Sequence, residues 1–147
     1  TEARGAGALT GSVTCNPGSP VAAAADHPIE VVVGPEVLTG STRLKAGSAT
    51  KQVLNMLSTA VMVRTGKVYG NLMVDVSVTN AKLRDRAERL VRTITGADAE
   101  QAARALTASG DRVRVAAVML QHDLDRPAAE AALELAGHRL GRALEHG

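Results

Sequence analysis

Residues 34–55 read GPEVLTGSTRLKAGSATKQVLN, and the rest of the chain is organised around them. Gly34 and Pro35 end a β-branched run, Thr39, Gly40, Ser41 and Thr42 supply a hydroxyl-rich turn, and Arg43 and Lys45 lead into a long apolar helix expected to begin near Gly47. The start of a helix leaves backbone N–H groups without intrahelical partners and carries the positive end of the dipole. Hydroxyls and cations placed there suit an anion such as a sugar phosphate. The same residues also suit a plain cap, with Ser41, Thr42 or Ser48 on the first turn and Arg43 and Lys45 in water. Composition leaves both open.

On the N-terminal side, residues 1–9 read as the tail of a helix, and we expect the chain to start inside a domain. A short buried strand over 11–16 leads through Asn16-Pro17-Gly18-Ser19-Pro20 into an Ala-rich helix over 21–26. The continuous β-branched run 29–33 then completes a βαβ unit, as a strand covered on both faces would. On the C-terminal side the helix from Gly47 to about Arg64 is apolar over more than a narrow stripe, and burial on most sides is expected. Residues 69–78 alternate Leu72, Val74, Val76 and Val78 against Met73, Asp75 and Ser77, the period of an edge strand or arm. Asn80 caps a helix that Gly96 stops. Strands this few do not complete an open α/β sheet, so part of the sheet is expected from elsewhere.

After Gly96 the texture is that of short helices. Asp98 can cap one reaching Ser109, Asp111 a second through His122, and Asp125 with Pro127 a third that stops at Gly137, with a last turn or two over 138–145. Val115, Met119, Leu133, Ala136, Leu140 and Leu144 have the spacing of a small bundle. The expected division is therefore 1–96 and 97–147.

A chain of 147 residues with a single aromatic, Tyr69, must build its core from Ala, Val, Leu and Met. Its 17 basic and 15 acidic residues are interleaved, as in Arg84-Asp85-Arg86-Ala87-Glu88-Arg89, which suits a solvated helix face and, without a basic block or stacking aromatics, excludes a nucleic-acid partner. The lone Cys15 rules out an internal disulfide and sits on an apolar strand, where core is the expected role. His27, His122, His138 and His146 lack metal-ligand spacing, so no metal is expected. No signal peptide and no apolar run of spanning length is present, so no membrane partner is expected and the cytoplasm is the expected compartment.

The motifs GPEVLTGSTRLKAG, Leu54-Asn55-Met56-Leu57-Ser58-Thr59, Gly66-Lys67-Val68-Tyr69-Gly70-Asn71-Leu72-Met73-Val74-Asp75-Val76 and Thr79-Asn80-Ala81-Lys82-Leu83 resemble the C-terminal half of N-acetylmuramic acid 6-phosphate etherases. The resemblance runs from about residue 3 to the end. It implies part of a sugar-isomerase-type (SIS) parallel-sheet, three-layer domain over 1–96 and a ubiquitin-associated-like helical module over 97–147. The TGSTRLKAGSATK block is also similar to the glucokinase regulatory protein, a sugar-phosphate binder without chemistry, which keeps a regulatory domain or a structural fragment as alternatives.

For function, the resemblance implies a carbon–oxygen lyase of cell-wall sugar recycling. It would cleave the D-lactyl ether of N-acetylmuramic acid 6-phosphate to N-acetylglucosamine 6-phosphate and D-lactate without metal or organic cofactor, by elimination and then addition of water. The family's two acid–base glutamates lie in its N-terminal half, which these residues do not match, so no catalytic residue is assigned here and the chain alone is expected to be inactive. Ser41 and Arg43 match positions facing the bound sugar phosphate, with Thr42, Lys45 and Glu36 as further candidates; Glu36 would touch a sugar hydroxyl, orient Lys45 or fix the loop by a hydrogen bond. A phosphorylated amino sugar and a second copy of the chain are the implied partners. Where etherases commonly read Val-Asp-Val-Arg-Pro-Thr-Asn, this chain has Ser77-Val78, which leaves any role of that arginine without a residue.

Overall fold

In a computed structural model of the chain, which describes residues 2–145, Asp26 fixes where the first strand pair begins. Its carboxylate accepts from the Thr10 backbone N–H at 3.0 Å and the Thr10 hydroxyl at 2.7 Å, while the Thr10 hydroxyl accepts from the Asp26 N–H at 3.1 Å. From this clamp, β1 (Gly11–Thr14) and β2 (His27–Glu30) run parallel, Gly11 opposite His27 and Thr14 opposite Glu30. Between them lies α2 (Pro20–Ala24), capped by the Ser19 side chain, and before them a short α1 (Glu2–Gly5). The fold class is thus α/β, a small parallel sheet with helices. β2 lies earlier than the β-branched run 29–33 suggested. A ladder extends only as far as its partner, and β1 stops at Thr14, whose carbonyl takes the Val31 N–H at 2.8 Å and leaves Val32 and Val33 beyond the ladder.

The long helix α3 (Lys45–Arg64) forms as expected and starts two residues early. Its burial is a correction: among the described residues Val53 alone is buried along it, while Leu54, Met56, Leu57, Val61, Met62 and Val63 stand in solvent. Apolar composition requires a covering element, and none of the described elements covers this face.

The residues fall into two compact units, Thr1–Ala60 and Val61–Gly147. In the second, a hairpin of β3 (Val68–Tyr69) and β4 (Leu72–Met73) is followed by extended chain carrying the buried Val74, so the alternating segment is a hairpin and an arm. The helices are α4 (Ala81–Thr95), α5 (Ala99–Ala108), α6 (Val113–His122), α7 (Arg126–Leu135) and α8 (Leu140–Glu145). Asn80, Asp98 and Asp125 cap α4, α5 and α7 by accepting backbone N–H bonds, and Gln101 completes a capping box at α5. Asp111 does not cap α6. Its carboxylate is taken by the Arg84 guanidinium at 2.8 Å, and Arg112 holds the N-cap position without a side-chain bond.

One core joins these helices: Val74, Ala87 and Val91 pack with Ala102, Leu106, Val113, Val118, Leu133 and Leu140. The expected bundle positions Val115, Leu133 and Leu140 are buried, and Met119, Ala136 and Leu144 pack partly buried against the core. α4 therefore shares its apolar face with α5 and α6 inside the second unit.

Candidate functional site

Every backbone N–H at the start of α3 has a partner within the chain. Leu44 donates to the Ser41 carbonyl at 3.2 Å and Gly47 to the Thr42 carbonyl at 2.8 Å. Lys45 and Ala46 both donate to the Glu36 carboxylate, at 2.9 and 3.0 Å. The first turn is thereby closed by the loop that precedes it, with a carboxylate at the positive end of the helix dipole. These bonds, Ala46 first and Lys45 second, hold the Glu36 carboxyl below the usual carboxylate range. A Cβ at Gly47 would stand 3.4 Å from the Thr42 carbonyl oxygen, an ordinary contact, so the fold-back closes tightly without requiring glycine there.

The loop divides the candidate residues into two sets. Glu36 and Lys45 face inward to the loop: the Lys45 ammonium donates to the Pro35 carbonyl at 2.9 Å, so both ends of that residue brace the turn. Ser41, half-buried, and Thr42 and Arg43, exposed, make no side-chain hydrogen bond or ion pair among the described residues. Their groups are one guanidinium and two hydroxyls, a donor-rich set suited to an anion's oxygens. Cys15 lies beside the same turn, its Sγ 3.7 Å from the Ala46 carbonyl oxygen and 4.0 Å from the Thr50 hydroxyl, as a packing residue between β1 and α3.

Besides Glu36, the carboxylates of Asp26 and Glu30 in this unit have partners away from the turn. Asp26 is bound by Thr10 and paired with Arg4, which hold its carboxyl below the usual carboxylate range, and Glu30 accepts the Gly18 N–H at 2.8 Å. No two of them converge on the 39–45 turn. The turn offers donors suited to an anion's oxygens, and among the described residues of this unit no pair of carboxylates faces it.

A second polar group, not singled out by sequence, lies in the Val61–Gly147 unit. A cavity of about 360 Å³ is lined by Asp75, Arg114, Glu130, Glu134 and His138 among others. Asp75 receives Lys67 at 3.0 Å and Arg114 at 3.0 Å, and these partners, Lys67 first, hold its carboxyl low against a desolvation cost. Arg114 also donates to the His138 carbonyl at 3.1 Å. Glu130 is held low in the same manner by Arg126 and Arg112. The signal for the first network was a lone carboxylate, Asp75, inside the apolar run Val74 to Val76. Of the histidines, His122 shares a hydrogen bond with the Ala143 carbonyl at 2.9 Å, and His146 lies outside the described residues. Among the described residues no cluster of histidine, cysteine and carboxylate ligands could hold a metal ion, and no helix is long and apolar enough to cross a membrane.

Comparison with known proteins places the loop in a wider context. The chain is 64% identical over 118 residues to the N-acetylmuramic acid 6-phosphate etherase of Rubrobacter xylanophilus, covering 80% of this chain and 39% of that protein. To etherase 1 of Bacillus licheniformis it is 52% identical over 142 residues, 97% of this chain and 47% of the relative. To the etherase of Mycolicibacterium smegmatis it is 54% identical over 145 residues, 99% of this chain and 49% of the relative. The chain spans about half the length of the curated relatives it matches. No protein-family model matches it.

Proposed function

We infer, from a chain that belongs to the N-acetylmuramic acid 6-phosphate etherase family and spans about half the length of its members, that these residues are the C-terminal portion of such a lyase. The reaction is cleavage of the D-lactyl ether of N-acetylmuramic acid 6-phosphate, and the portion's task is to bind the sugar phosphate. The observation that carries this reading is identity sustained through nearly the whole chain, 54% over 145 residues to one etherase. The names of the relatives favour the lyase over a regulatory sugar-phosphate binder. The cytoplasm, a homodimer and operation without a cofactor belong to the same proposal.

Within it, Arg43 and Ser41 contact the phosphorylated sugar, Thr42 flanks them, and Glu36 and Lys45 hold the loop. Free donors on Ser41 and Arg43 beside an internally satisfied helix start support that division. A charge-assisted contact is worth roughly 1.5 to 3 kcal/mol, so Arg43→Ala is expected to weaken sugar-phosphate binding about ten- to a hundred-fold in an enzyme whose site is complete. Titration calorimetry on the chain combined with the N-terminal half of a related etherase measures this. Unchanged affinity at unchanged melting temperature places Arg43 in solvent and restores the plain cap.

We assign residues 1–96 to a sugar-isomerase-type domain and 97–147 to a ubiquitin-associated-like helical module. The parallel β1–β2 pair supports the first and the run of short capped helices the second. Because α4 shares the core of α5 and α6, residues 97–147 excised alone are expected to be helical but weakly stable, and residues 61–147 to melt cooperatively at a higher temperature. Circular dichroism of the two fragments decides; equal melting points would remove α4 from the module's support.

A further inference from the structure

We propose that Glu36 is a positioning residue that supplies the resident anion of the α3 start, so that a sugar phosphate is read by the side chains of Ser41 and Arg43 rather than by the helix amides. The proposal rests on the sugar-phosphate reading above and narrows how that site recognises its ligand. A helix start binds phosphate through N–H groups left without partners. Here the Leu44, Lys45, Ala46 and Gly47 N–H groups all have acceptors, two of them on one carboxylate. A phosphate at this position would meet the negative charge of Glu36 and have to displace two charge-assisted hydrogen bonds. The Lys45 ammonium, held 2.9 Å from the Pro35 carbonyl oxygen, is likewise turned toward the loop. The side chains of the turn without a partner among the described residues include Ser41, Thr42 and Arg43. Glu36 thus determines which groups the loop offers, without contacting the ligand.

The test is a titration of the isotope-labelled 147-residue chain with inorganic phosphate, following the Lys45 and Ala46 amide resonances by NMR. In the unaltered chain these two resonances are expected to stay in place. Glu36→Ala removes the resident carboxylate, and phosphate should then shift both saturably, with an apparent affinity at least about tenfold above that of the unaltered chain. Glu36→Gln, which keeps the size and loses the charge, is expected to gain the same response if the alanine variant does not fold, and Glu36→Asp to remain silent. A carboxylate that merely stiffened the loop would produce no such gain of a phosphate site. A saturable shift of Lys45 and Ala46 in the unaltered chain, or no gain in either neutral variant, overturns the proposal. Because the probe is phosphate without sugar and the readout is at the helix amides, that result is independent of whether Arg43 binds a sugar phosphate.

Discussion

Gly66→Ala is expected to destabilise the Val61–Gly147 unit by about 2 to 5 kcal/mol, enough to lower its melting temperature by roughly 10 °C or more. Gly66 is buried, its φ is +75°, and it lies where the chain leaves α3. A left-handed conformation costs a residue with a Cβ roughly 1 to 2 kcal/mol. A Cβ at this position would also stand 2.6 Å from the His138 carbonyl oxygen and 3.1 Å from its carbon. Both are backbone atoms, and neither can move aside as a side chain would. The same carbonyl accepts from Arg114, which also holds Asp75, so relaxation of the 138–139 segment disturbs that network as well. Overpacking of this kind adds typically 1 to 3 kcal/mol. Thermal unfolding followed by circular dichroism measures the sum, and Gly66→Asn separates its causes. Asparagine tolerates positive φ but keeps the Cβ, so it should remain destabilised by most of the packing part. A melting point for Gly66→Ala within about 2 °C of the parent would mean that the two backbones are not in close approach.

The second expected result is that the 147-residue chain, assayed by itself, releases D-lactate from N-acetylmuramic acid 6-phosphate at least about 10⁴-fold more slowly than a whole-length relative. Elimination of the lactyl ether needs one group to take the proton at C2 and another to assist the leaving oxygen, each worth about 10² to 10⁴ in rate. In the Thr1–Ala60 unit the carboxylate nearest the turn is Glu36, and it is bound by the Lys45 and Ala46 N–H groups. Those bonds keep it ionised and below the usual carboxylate range, which disqualifies it as a proton donor and weakens it as a base. Asp26 is tied to Thr10 and Arg4, and Glu30 to Gly18. Addition of the N-terminal half of a related etherase is expected to restore release, and Arg43→Ala to reduce the restored rate. Release by the chain alone would assign the chemistry to residues within it and sink this account.

Much of the local structure was legible in the sequence because its causes are local. Asn80, Asp98 and Asp125 cap their helices through bonds to N–H groups three residues on, and Gly96 ends α4 at the position that favours a residue without Cβ. The motif 34–55 carried the candidates Ser41, Thr42, Arg43, Lys45 and Glu36, and together with the blocks 54–59, 66–76 and 79–83 the family resemblance, for the same reason: each is a continuous run of sequence. Partners distant in sequence were not legible. Asp111 has the composition and position of a cap for α6, yet Arg84, brought beside it by the packing of α4 against α6, takes its carboxylate at 2.8 Å. The alternation around Asp75 does not reveal that Lys67 and Arg114 converge on it, nor does Gly66 announce the carbonyl of His138.

At the loop the two sources divide in the same way. Sequence alone raised an anion at the start of α3 beside a plain hydroxyl cap, since unpaired N–H groups and a dipole are properties of any helix start. Which anion it is was decided by tertiary structure. The reversal of the chain between Gly34 and Lys45 brings the Glu36 carboxylate back onto the Lys45 and Ala46 N–H groups, and a carboxylate tethered nine residues away needs no free ligand to neutralise the helix end.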